Sequence, residues 1–195
     1  MLASSDIAFK EWAVVVEALG SGEQILVLRK GGIRERHGTF QVEHHEFWLF
    51  PTQYHETEHA IIPSKRPLLH DLQARTDEEF VDIEFYAIAE NVVTISDASL
   101  LRRLQGRHIW TEKVLQERFE FGREPGLQAL LTRIYRLPSP QRFVLRESYA
   151  GCKSWVQLEH SIRTAELRPV LTDAGFSAQQ ERILGLLTEH ALAHS

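Results

Sequence analysis

Apolar and polar residues alternate most cleanly between Phe80 and Ile95. Val81, Ile83, Phe85, Ala87 and Ala89 are interleaved with Asp82, Glu84, Tyr86 and Glu90. A period of two places one set on the core side of a strand, and Asn91 marks a turn or bulge within it. Shorter runs predict further strands. Ala13 to Val16 and Gln24 to Leu28, separated by Gly20-Ser21-Gly22, read as a hairpin. A strand pair is expected around Phe40 to Phe50, closed by Pro51. Gly126 to Leu137 and Tyr149 to Leu158 are expected strands, and Leu137-Pro138-Ser139-Pro140 an expected turn between strands.

Helical spacing predicts helices over Leu68 to Arg75, from a cap at Ser96 or Asp97 to Leu104, and over Thr111 to Phe119. At the C-terminus, Ser177 and Gln180 form a capping-box pattern ahead of Ile183, Leu184, Leu187 and Ala191, a stripe that reads as core packing. The pattern as a whole predicts one domain over residues 1–195. Its expected fold is α+β, with a strand-dominated core, a curved sheet or partly closed barrel, peripheral helices and a C-terminal helix. Alternating βαβ signals are missing, which argues against a doubly wound parallel sheet.

Composition narrows the class. The chain has 195 residues, 43% of them hydrophobic and 25% charged, as in soluble globular domains. It contains no long uncharged apolar run, so no membrane-spanning helix is expected. Met1 to Asp6 lack the basic and apolar regions of a secretory signal. Cys152 is the sole cysteine, which excludes an intramolecular disulfide and a multi-thiolate zinc site and suits the cytoplasm. A small buried or inert thiol is the expectation for it.

The net charge of −5 argues against gross polyanion affinity until it is divided. Residues 35–98 hold four basic and 13 acidic groups, and residues 99–146 hold 10 basic and four acidic. In the basic block arginine dominates, and Trp110, Phe119, Phe121 and Tyr135 are interleaved with it. Guanidinium groups bind phosphate bidentately and stack on bases. Arg133 and Tyr135 share a face in strand geometry, and cation plus aromatic on one sheet face suits single-stranded nucleic acid. The two blocks are also self-complementary, and ion pairing between them is the alternative.

Other motifs carry candidate chemistry. Arg29-Lys30-Gly31-Gly32-Ile33-Arg34 is a basic turn whose backbone N–H groups and cations suit an anion. His55-Glu56-Thr57-Glu58-His59 satisfies H-E-x-x-H. On a helix, His55 and His59 would share a zinc ion, Glu56 would act as base, and His70, Glu78 or Glu79 would be a third ligand. Pro51 and Pro63 leave little room for that helix. Asp82 and Glu84 share a strand face and could work as a carboxylate pair.

Several phrases together resemble a known family: Phe9-Lys10-Glu11-Trp12, Arg29-Lys30-Gly31-Gly32-Ile33, Phe50-Pro51-Thr52 followed by His55, Arg133-Ile134-Tyr135-Arg136-Leu137, and Gly151-Cys152-Lys153-Ser154-Trp155. The chain resembles an uncharacterised bacterial family, a domain of unknown function found widely in cyanobacteria. The resemblance spans nearly the whole chain and implies no activity.

The reading favoured by the residues is a non-enzymatic binding module for nucleic acid or a phosphorylated, nucleotide-like small molecule. Its contacts would be Arg29, Lys30, Gly31 and Gly32, with Arg133, Tyr135 and Arg136. The alternative is a zinc-dependent hydrolase built on His55, Glu56, His59 and His70, and a third reading is an adaptor using the C-terminal helix.

Overall fold

The computed structural model describes residues 1–30 and 43–188. Gly31, Gly32, Ile33, Arg34 and His37, the first part of the predicted Phe40 to Phe50 strand, and Ala191 lie outside the described residues.

The core of the fold is an open mixed sheet with strand order β2-β5-β4-β3-β1-β6. Its strands are β1 (Ser4–Trp12), β2 (Leu26–Arg29), β3 (Glu46–Thr52), β4 (Phe80–Ile95), β5 (Leu127–Val144) and β6 (Trp155–Arg163). A short β7 (Arg168–Pro169) pairs with β5 beyond the end of β2. Strands β1 and β3 run parallel and the other pairs antiparallel. The helices α1 (Ala13–Gly20), α2 (Arg66–Ala74), α3 (Ser99–Arg103), α4 (Glu112–Glu120) and α5 (Asp173–Thr188) are peripheral to it. The expected α+β class and strand-dominated core are thus found.

β1 and β3 are buried on both faces, because Ala8 and Phe9 and the run Phe47 to Phe50 are all inaccessible. One face, with Phe9, Phe47, Leu49 and Phe85, joins the core beneath the helices. The other, with Ala8, Trp48, Phe50 and Tyr86, packs against Val156, Leu158, Phe143 and Tyr149, with no residue of α1–α5 among its buried members.

β4 has the predicted bounds but not a single core face. Val81 and Ile83 join the helix-free core, whereas Phe85, Ala87 and Ala89 join the helical one. A register shift between Ile83 and Phe85 causes the switch. Ile83 faces Gln141 while Phe85 faces Arg136, so β5 carries extra residues there. Such a bulge reverses which alternate residues face each side. The expected turn at Leu137-Pro138-Ser139-Pro140 is this bulge. The two prolines sit where ladder hydrogen bonds are interrupted, so the strand continues through them. A second shift between Ala89 and Asn91 matches the expected irregularity at Asn91.

The predicted hairpin over Ala13 to Leu28 is replaced by helix α1 followed by β2, which pairs with β5. Val14, Val15 and Val16 are buried on all sides, and tertiary burial overrides the strand preference of β-branched residues. Gly20 is required by close approach. A Cβ there would stand 2.2 Å from Cζ of Phe85.

The helices α2, α3 and α4 agree with expectation. Asp97 Oδ1 accepts the Ser99 N–H at 2.8 Å as the predicted cap of α3. α5 begins earlier than predicted, with Thr172 Oγ1 accepting the Gly175 N–H, so Ser177 lies within the helix. Phe176, Ile183 and Leu187 of α5 are buried in the core. β6 starts at Trp155, and Tyr149 sits instead on a 3-10 turn that precedes it.

Candidate anion-binding site

Strands β1 and β2 end at the same edge of the helical core, and their last residues meet side chains from α4 and from the start of β6. Glu11 is almost fully buried at the end of β1. Its Oε1 accepts the Trp12 N–H at 2.8 Å, and Oε2 lies 3.5 Å from Nη1 of Arg29. Arg29 donates from Nη2 to Ser154 Oγ at 3.0 Å, and its guanidinium stands 4.7 Å from the Phe9 ring centroid. Trp155 completes this wall, 4.8 Å from Phe9 and edge-on to Phe47 and His44. Three of the phrases that carry the family resemblance therefore converge here from distant parts of the chain.

A second cation approaches from α4. The Arg118 guanidinium lies 3.7 Å over the Trp110 ring and 5.4 Å from Trp12, and the two indoles are 4.8 Å apart. Stacking on indole holds the guanidinium plane while leaving its N–H edges to face a ligand. Among the described residues no hydrogen bond or ion pair engages those edges. Burial lowers the Arg118 pKa to about 10, with the Glu11 charge opposing that shift and Arg29 adding to it. Glu11 thus pairs with Arg29 and lies within electrostatic range of Arg118.

Glu56 sets the remaining charge. Its Oε1 accepts the Val14 N–H at 3.1 Å, which caps α1, while Oε2 is buried with no hydrogen-bond partner among the described residues. Burial raises its pKa to about 7, and the Glu11 charge adds to the effect against the Val14 hydrogen bond. An acid whose folded pKa lies above its ordinary value stabilises the fold below that ordinary value, and the contribution is lost as pH rises through about 7. Urea midpoints are expected to fall between pH 5 and pH 8, and Glu56→Gln should flatten that fall. An unchanged slope in the variant would show that Glu56 does not titrate in this range.

The other predicted residues are placed as follows. Lys30 donates from Nζ to the carbonyls of Phe119 and Glu124, so it closes the end of α4. Arg133 pairs with Asp173 and lies 5.7 Å from the Tyr135 ring, and Arg136 pairs with Glu84 at 2.7 Å. They are not adjacent to Arg29. Arg29 faces Gln128 on β5, and Arg133 lies five residues further on, roughly 17 Å along the strand.

The Asp82 and Glu84 carboxylates are likewise committed. Arg142 holds Asp82 bidentately, with both contacts at 2.8 Å, and Arg136 holds Glu84. Cys152 is exposed rather than buried, since it sits on the turn before β6.

The H-E-x-x-H segment does not form a helix. His55 adopts a left-handed conformation with φ 62°, and a 3-10 turn begins only at Glu58. Pro51 lies within β3 and Pro63 opens the next turn, which confines the segment as the prolines implied. His55 contacts the Tyr54 ring, His59 is exposed, and His70 lies 3.6 Å from Glu58. Among the described residues no three His, Cys, Asp or Glu side chains come together as a metal site. Glu56, the presumptive base of that motif, instead serves as the cap of α1.

Sequence reading contained Arg118 and Trp110 in its basic block but did not join them to Arg29. Their signal is weak, because Trp12, Glu11, Trp110 and Arg118 are brought together only by the sheet and α4.

An open α+β sheet with two arginines, Arg29 and Arg118, set near the buried Glu11 carboxylate is what fold and site define. Residues 8–182 match the model of a domain of unknown function, DUF1802, and the chain belongs to that family. The resemblance read from the sequence is borne out at that level. No curated protein matches the chain. Among solved structures, ASCH from Zymomonas mobilis is 15% identical over 92% of this chain and 94% of that one, with a TM-score of 0.40. Two single-residue mutants of the same protein give 16% identity over 78% and 89% with a TM-score of 0.43, and 15% over 93% and 98% with 0.41. No helix among the described residues is long and apolar enough to cross a membrane.

Proposed function

We propose that this domain is a non-enzymatic binding module for nucleic acid or a nucleotide-like anion, with the ligand's phosphate held between Arg118 and Arg29. The observation that carries this reading is the Arg118 guanidinium, stacked 3.7 Å over Trp110 with its N–H edges unengaged among the described residues. Pre-orientation by the indole reduces the cost of ordering the cation on binding. Ser154, which accepts from Arg29, adds a hydroxyl, and half-buried Trp12 adds an indole, whereas Trp110 is buried and serves only to hold Arg118.

Binding of a nucleoside monophosphate and of short single-stranded RNA and DNA, followed by tryptophan fluorescence at low salt, tests the reading. Arg118→Ala is expected to weaken binding at least tenfold. Arg118→Lys, which keeps the charge but loses the planar stack, should fall between it and the wild type. Arg142→Ala, at the surface pair with Asp82, should bind normally. Equal affinity of folded Arg118→Ala and wild type would reject the site.

A further inference from the structure

We infer that the ligand is a nucleic-acid strand rather than a free nucleotide, and that its backbone continues from the Arg118 site into the groove between α3 and α4. This rests on the reading of the Arg118 site given above. The observation behind it is the uneven fate of the basic block. On β5 and just beyond it, Arg133, Arg136, Arg142 and Arg146 each meet a carboxylate: Asp173, Glu84, Asp82 and Glu159. On the helical half, Arg102, Arg103 and Arg107 have no ion pair among the described residues, and Lys113 reaches only Glu117 at 3.9 Å. Four of the ten basic groups are thus neutralised by carboxylates, whereas Arg102, Arg103 and Lys113 on the helices are exposed.

The unpaired half has a shape. Arg102 of α3 and Lys113 of α4 line one open groove of about 730 Å3 together with Ala98, Ser99, Glu112 and Gln116. Its one carboxylate, Glu112, accepts a hydrogen bond from Gln105 at 2.9 Å. Hydroxyl, amide and two cations make a polar floor suited to phosphate and sugar rather than to an apolar ligand. α4 links the groove to the first site. Lys113 and Arg118 are five residues apart on it, roughly 7.5 Å along the axis and about 140° apart around it, so they stand on different sides of the helix. A strand leaving the Arg118 pocket therefore meets Lys113 and Arg102 on rounding the helix. Because the two cations stand on different sides of α4, one phosphate cannot meet both, and contact with both takes successive phosphates of a strand.

The test uses the full chain and its Arg102→Ala/Lys113→Ala double variant, with a nucleoside monophosphate and a 12-nucleotide single-stranded RNA as probes. Both altered side chains are exposed, so the variant should fold as the wild type does. The plot of log affinity against log salt for the RNA should lose about 1.4 in slope, from two contacts at about 0.7 each. Monophosphate affinity should not change. An unchanged RNA slope, or wild-type RNA binding no tighter than the monophosphate, would overturn the inference while leaving the Arg118 site intact. Failure of both probes would overturn the site and the inference together. A slope loss seen with polyglutamate but not with RNA would reject a nucleic acid as the partner.

Discussion

Glu11→Gln should destabilise the domain by about 3 kcal/mol and should bind anions more tightly than the wild type. Glu11 is the buried carboxylate facing both Arg29 and Arg118. Glutamine keeps its volume and can still accept the Trp12 N–H, so packing and the local hydrogen bond survive. What is lost is the charge that lets two guanidinium groups share one site, and they are then left to repel each other. A phosphate group can replace the missing charge, and a ligand that binds only the folded state stabilises it by mass action. Urea unfolding in phosphate and in chloride at matched ionic strength separates this from general screening. The gap between variant and wild type should narrow in phosphate only. A gap of equal size in both buffers would mean that Arg29 and Arg118 do not hold an anion.

Trp48→Ala should have an effect at least as large, through packing and one buried hydrogen bond, with no part in binding. Trp48 is fully buried on the helix-free face, 4.7 Å from the Tyr86 ring, and donates from Nε1 to the Ser5 carbonyl at 2.9 Å. Truncation leaves a cavity and an unpaired carbonyl, at a cost of about 3–5 kcal/mol. That is a large share of the roughly 5–15 kcal/mol by which such domains are stable. Trp48→Phe retains most of the burial and loses chiefly the hydrogen bond, so its midpoint should fall between the two. Ligand affinity of the folded fraction should be unaffected, because Trp48 lies across the sheet from Arg118. A parallel loss of affinity would show that the two faces are coupled.

What could be read from the chain depended on how local its cause was. β4 was legible to its end residues because its alternation is long. Asp97 and the helices α3 and α4 were legible from caps and spacing within a dozen residues. The valines of α1 misled, because their burial on all sides comes from elements far away in sequence. Pro138 and Pro140 misled for a related reason, since a bulge and a turn use the same residues and only the partner strand distinguishes them. The candidate site was legible in part. Arg29 was singled out by its basic turn, whereas Arg118 looked like one arginine among ten basic residues. The pairing of Asp82 with Arg142 and of Glu84 with Arg136 answers the charge question half way. Acidic and basic blocks do neutralise each other along β4 and β5, but not at α3 and α4.

The sheet order also governs when the residues around Glu11 can come together. β1 precedes the other strands of this sheet in the chain, yet its neighbours are β3 and β6, with Ser4 facing Arg163 and Phe9 facing Trp155. Contacts so far apart in the chain are slow to form, because loop closure precedes any gain. The pocket draws Trp12, Arg29, Arg118 and Ser154 from successive stretches of the same span. A nascent chain therefore carries these arginines and indoles unassembled until β6 has left the ribosome, and the arrangement around Glu11 forms only as the sheet closes around β1.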